Sequence, residues 1–310
     1  MRWCLSALLL LSSLASSGQE SDGWVAKGDS LLQQGRAQRA VQAFDQAIEE
    51  APSARTYSAR ARAWYVLDRM DRYIVDVETA LHKDSTWPEA NYQRALYAMR
   101  AGDPHLAERH ATTAIEHGSD GPLKSLSLVL RGTARSELLQ REGAIEDLTA
   151  GLEGRPDDTE AMTVLARLLD QSGRHDEALQ VLTDLCEREP EELGHWSNRG
   201  YELAALGRHE DALAMYAKAL AIDPDEPVAL SNQAASLLAL GRKEEAMKAV
   251  TRSLKGYPSN AEALKTRALL LLDLGERSKA CDDLTLAKAL GEDPEVDRLH
   301  LEFCSKPGDR

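Results

Sequence analysis

Catalysis by this chain would have to come from its histidines, cysteines and carboxylates, and their spacing argues against it. His105 and His110 are five residues apart, which puts them on different faces of a helix, and no His-Glu-x-x-His or Cys-x-x-Cys spacing of a zinc site occurs. His175 and His209 each follow a Gly-Arg pair directly, a turn position where polar residues are generic. The adjacent carboxylates Glu146 and Asp147, and Asp282 and Asp283, read as a solvated helix face rather than as acid and base. No Ser or Cys has a neighbour that would activate it as a nucleophile, and the glycines stand singly instead of forming a phosphate loop. The expectation is no catalytic residue, no metal site and no cofactor: a protein that is not an enzyme.

The ends and the charge set the class of partner. Arg2, an apolar run from Leu5 to Ser16 and the small residues Ala15, Ser16 and Ser17 have the layout of a signal peptide over residues 1–17. The run is shorter than the roughly 20 residues of a spanning helix, and polar Gln19, Glu20, Ser21 and Asp22 follow it at once. The expectation is export, to a periplasm or to the outside, with no membrane span in the mature chain. A net charge of -14 disfavours nucleic acid and anionic membrane surfaces as partners. The charge is uneven: residues 159–192 hold nine acidic and three basic side chains, residues 227–260 two and five.

A repeat organises the rest. Stepping by 34 residues from Gly200 reaches Ala234 and Ala268 in one direction and Ala166 and Gly132 in the other; from Gly207 it reaches Gly241, Gly275 and Gly173, with Leu139 as the exception. Ala212 maps onto Ala246, Ala280, Ala178 and Ala144, and Pro224 onto Pro258, Pro190 and Pro156. Upstream of a three-residue slip at Pro122, Leu123 and Lys124, the pattern resumes, with Asp68 and Tyr73 replacing Gly and Ala in the second unit. Apolar residues at three- and four-residue spacing, such as Ala212, Leu213, Tyr216 and Leu220, predict two helices per unit. Gly207 ends the first with a left-handed cap and Pro224 closes the second.

Trp196, Gly200, Tyr201, Gly207, Ala212, Tyr216, Ala219 and Pro224 together resemble the tetratricopeptide repeat, a helical hairpin of period 34. The resemblance implies an all-α fold, a right-handed superhelical α-solenoid over residues 18–294 with about eight units. Their approximate bounds are 21–53, 54–87, 88–121, 125–158, 159–192, 193–226, 227–260 and 261–294, with a capping helix and tail at 295–310. Each hairpin of such an array buries its apolar side only against its neighbours. Cys186 is therefore too far along the stack to pair with Cys281. Cys281 and Cys304 either staple the C-terminal cap to the last hairpin or remain two buried thiols.

The resemblance also implies that the first helices line a concave surface. Residues at i, i+4 and i+7 share a helix face, which puts Arg55, Arg62 and Tyr65, then Tyr92, Arg167, Ser197 and Tyr201 on the inward stripe, with Asn198 and Asn232 beside it. Some members hold an acidic peptide tail in a carboxylate clamp. Asn232 matches the middle of that pattern, but Ser197, Tyr201, Glu262 and Thr266 stand where its Lys, Asn and Arg would be, so the clamp does not carry over. The expected function is an exported interaction scaffold that binds an extended or helical segment of a client protein or peptide in the groove. The alternative is a regulatory or assembly subunit of an envelope or secretory complex, engaged through its convex face or the acidic belt at 159–192.

Overall fold

The computed structural model describes residues 20–118 and 120–304, so the proposed signal peptide lies outside the described residues. The described chain falls into two compact units that divide after Ala161, and it is all-α: among the described residues there is no strand. In the first unit the helices pair as α1 (20–33) with α2 (Ala37–Glu50), α3 (Ala54–Val66) with α4 (Met70–Lys83), α5 (Pro88–Arg100) with α6 (Pro104–His117), and α7 (Pro122–Glu137) with α8 (Arg141–Glu153). Helix α9 (Thr159–Gln171) carries the divide in its first turn and leads to α10 (His175–Arg188). The second unit continues with α11 (Leu193–Ala205) and α12 (His209–Ile222), α13 (Pro227–Ala239) and α14 (Lys243–Gly256), α15 (Ala261–Asp273) and α16 (Arg277–Leu290), and ends at α17 (Pro294–Cys304). In the first unit each helix packs on the next from α2 through α8, as in the second from α10 through α17, and first helices also touch across hairpins, as α3 does α5 and α11 does α13.

The turns explain why the chain folds back every half repeat. Gly35, Gly102, Gly173, Gly207, Gly241 and Gly275 all have φ between 69° and 78°, the left-handed cap expected of them. The two exceptions adopt the same backbone: Asp68 has φ 54° and Leu139 φ 60°. The geometry of the repeat therefore overrides residue preference at those two turns. The inserted residues at Pro122, Leu123 and Lys124 form the first turn of α7, which has 16 residues where α5 has 13.

Small residues set the spacing within a hairpin. A Cβ added to Gly200 would lie 2.5 Å from the Tyr216 ring, so the glycine is what lets α11 and α12 close over that side chain. Tyr216 is 1% exposed, a burial worth roughly 2–3 kcal/mol. In the second hairpin Tyr73 takes the place of the usual Ala, and its buried hydroxyl donates to the Gln93 carbonyl at 2.7 Å. The larger residue fits because its one polar atom is satisfied.

A second device recurs in three hairpins and corrects the sequence reading of the carboxylates. Arg60 and Asp76, Arg131 and Asp147, and Arg267 and Asp283 form two-pronged pairs from first helix to second, with N···O distances of 2.6–2.8 Å. Asp147 is 4% exposed and Asp283 6%, so neither belongs to a solvated face. Each faces the preceding helix of its own hairpin, where an arginine sixteen residues upstream compensates its charge. At the C-terminal end Cys281 and Cys304 are joined by a disulfide between α16 and α17, while Cys186 is a buried free thiol. Val296 and Leu299 of α17 are buried in the same core as Leu284 and Ala287.

Candidate functional site

In the first unit the groove residues form a neutralised network. Arg55 pairs with Asp22, and Arg62 bridges Asp29 and Glu89, the latter at 3.1 Å. Tyr65 is 38% exposed and lies 5.6 Å from the Tyr73 ring between centroids, with the Arg100 guanidinium 5.8 Å from its own centroid. Tyr92 is half-buried, and burial pushes its hydroxyl above the ordinary tyrosine value. Burial likewise raises the Glu89 carboxyl, with Arg62 opposing. The two arginines are thus bound to carboxylates of their own unit and do not present bare positive charge.

In the second unit the structure brings Arg167, Asn198 and Tyr201 together around one cavity of about 270 Å³ between α9 and α11. Tyr201 is 47% exposed, and Asn198 and Arg167 also reach solvent. Asn232, one hairpin along, is half-buried and does not line this cavity. Ser197 does not belong to an accessible surface: it is 6% exposed, as its counterparts Ser58 and Ser231 are 0% and 1%.

At the same cavity the structure gathers Asp170, which shares the inward stripe with Arg167, with Glu202 and His175, which the sequence reading did not assign to the groove. Asp170 and Glu202 line it, and His175 is at the start of α10. The His175 Nδ1 is 2.8 Å from a Glu202 carboxylate oxygen, and ligand atoms of Asp170, His175 and Glu202 all lie within 4.8 Å of one another. Glu202 is only 2% exposed. Burial pushes its carboxyl up, the hydrogen bond with His175 pulls the other way, and the Asp170 charge adds to the rise. His175 is therefore not a generic polar turn residue, since it reaches a buried carboxylate on the following hairpin. The signal was in the register: the positions equivalent to Glu202 hold Ala63, Tyr97, Ala134, Leu168, Ser236 and Leu270.

The tetratricopeptide repeat family matches residues 25–82, 129–192 and 165–227, and again 203–270. The chain belongs to the tetratricopeptide repeat family, and its hairpins form a protein–protein interaction scaffold of the α-solenoid class. No curated protein matches it. Among solved structures, it is similar to "Crystal structure of YrrB: a TPR protein with an unusual peptide-binding site", at 27% identity and a TM-score of 0.55, over 61% of this chain and 97% of that one. A second similar structure is "MamA 41-end from Desulfovibrio magneticus RS-1", at 18% identity and a TM-score of 0.50, over 56% of this chain and 96% of that one; that likeness shows the fold alone.

Proposed function

We propose that the protein is an exported, non-catalytic scaffold that binds an extended or helical segment of a client protein through the first-helix face of its second unit. The observation that carries this reading is the cavity at which Arg167, Asn198 and Tyr201 converge. Its chemistry suits a peptide. An amide side chain can both donate to and accept from a peptide backbone, the guanidinium offers donors, and the tyrosine adds apolar area with a polar tip. The likeness to YrrB, whose structure is described as having a peptide-binding site, supports the same class of ligand. In the first unit Arg55 and Arg62 are paired with carboxylates of their own unit.

The test is capture of client by the mature chain and by Asn198→Ala/Tyr201→Ala, with bound proteins identified from the envelope fraction. Loss of at least tenfold in capture at unchanged helicity is the expected result, and unchanged capture overturns the assignment. Capture abolished by 0.5 M salt but untouched by the substitutions would move the contact to the acidic belt at 159–192, since exposed charges are screened beyond roughly 8–10 Å at physiological ionic strength. Export is tested separately: the mature protein should begin near Gly18 by mass spectrometry, and an intact N-terminus at Met1 would refute it.

A further inference from the structure

We propose that Asp170, His175 and Glu202 form a binding site for a first-row divalent transition ion, with Zn²⁺ as the favoured occupant. The inference goes beyond client binding and does not rest on it. Three donors converge from three helices, α9, α10 and α11, with their ligand atoms within 4.8 Å of one another. Zinc takes imidazole nitrogen and carboxylate oxygen at bonds near 2.1 Å, which sets donors of a tetrahedral site about 3.4 Å apart. Small side-chain rotations close the difference. The mixed nitrogen and oxygen set suits zinc, cobalt or manganese better than calcium or magnesium, which favour all-oxygen shells.

Two independent features argue that this is more than a hydrogen-bonded pair. The first is the repeat itself. Glu202 stands in a register that elsewhere holds Ala, Leu, Ser or Tyr, and Asp170 in one that holds Tyr65, Met99, Ser136, Ala204, Leu238 and Leu272. Both breaks occur at neighbouring hairpins and both point to the same imidazole. The second is charge. Glu202 is 2% exposed, and burying a carboxylate beside another carboxylate is costly unless a cation compensates. The cavity lining holds one guanidinium, that of Arg167, against the two carboxylates. A dication supplies what is missing. Three protein donors leave a fourth position toward the cavity, the arrangement of an open rather than a closed zinc site.

The experiment uses the tag-free mature chain stripped with chelator. Titration calorimetry with Zn²⁺ should give one site per chain, Co²⁺ should give visible d–d bands, and the ion should raise the melting temperature by several degrees. Asp170→Asn and His175→Ala should each weaken Zn²⁺ binding at least tenfold with unchanged circular dichroism. Glu202→Leu, which installs the residue of the preceding repeat, should abolish the Zn²⁺-induced melting shift while keeping the apo fold. No binding by the wild-type chain overturns the proposal. Undiminished binding by Asp170→Asn/His175→Ala overturns it as well, because the ion would then be held by other histidines. Client capture that survives these substitutions leaves the proposed function standing.

Discussion

Gly200 and Leu139 show what a single residue costs in a repeat of this kind. At Gly200 the Tyr216 ring fills the space a Cβ would need, at 2.5 Å, so Gly200→Ala must push α11 away from α12 or turn the ring off its rotamer. Overpacking of this kind costs about 1–3 kcal/mol, partly offset by the better helix propensity of alanine. A lowered midpoint in urea unfolding is the expected outcome, and an unchanged midpoint would mean that the hairpin relaxes freely. Leu139 is the opposite case. It holds a left-handed turn at φ 60° and is 87% exposed, so its side chain gains little from packing while its backbone is strained. Leu139→Gly removes a strain of roughly 1–2 kcal/mol and gives back part of it through the freer unfolded chain. The net expectation is a gain of about 0.5–1 kcal/mol, measured as a raised urea midpoint with an unchanged slope.

At the scale of the helical hairpin, the arginine–aspartate pairs make a sharper claim than the apolar contacts do. Asp147 receives hydrogen bonds from both Arg131 and Arg135, and its side chain is 6% exposed while those of the arginines are 15% and 23%. Asp147→Asn leaves Arg131 without its anion and Arg135 with Glu108 alone. The expected loss is roughly 2–3 kcal/mol, below the full cost of breaking a wholly buried pair because the arginines reach solvent. Replacing Arg131 and Asp147 together by leucine should cost less than the sum of the single changes, which a double-mutant cycle in urea measures. Much of this level was legible in the sequence. Turns and close approaches are demands on the backbone, and Gly207 or Ala212 answers them at the same place in each repeat. Asp147 was misread because a carboxylate's partner depends on a residue sixteen positions away, and only comparing Arg60, Arg131 and Arg267 with their aspartates reveals it. Ser197 was misread for another reason. A helical wheel gives the direction of a side chain but not how much of it the packed helices cover, and Ser197 is 6% exposed. Glu202 and Asp170 were visible as breaks in register, yet their meeting with His175 required the packing of one hairpin on the next.

At the scale of the whole molecule, a net charge of -14 makes acid the condition under which stability should change most. Burial works against the charge on Glu108, but hydrogen bonds from Arg135 and Gln140 outweigh it and hold the carboxyl below its ordinary value. Asp293 follows the same pattern, burial being overcome by Lys265 and by the backbone N–H groups of Glu295 and Val296. For such groups the unfolded chain takes up protons first as pH falls. Their contribution is therefore complete above the ordinary carboxylate range of about 4 and is lost as pH drops through the lowered folded values. Glu89 has the opposite sign: burial pushes its carboxyl up despite Arg62, so the folded state takes its proton first and gains stability as pH falls. The urea midpoint should accordingly stay nearly level from about pH 7 to 5 and fall below about pH 4, because among the described residues the lowered carboxyls, such as Glu108 and Asp293, outnumber the raised ones, Glu89 and Glu202, in both units. Glu108→Gln should flatten that fall, while Glu89→Gln should raise the midpoint at pH 7 and leave it unchanged near pH 3. A wild-type midpoint that rises on acidification would mean that buried carboxyls of the Glu89 kind dominate the balance.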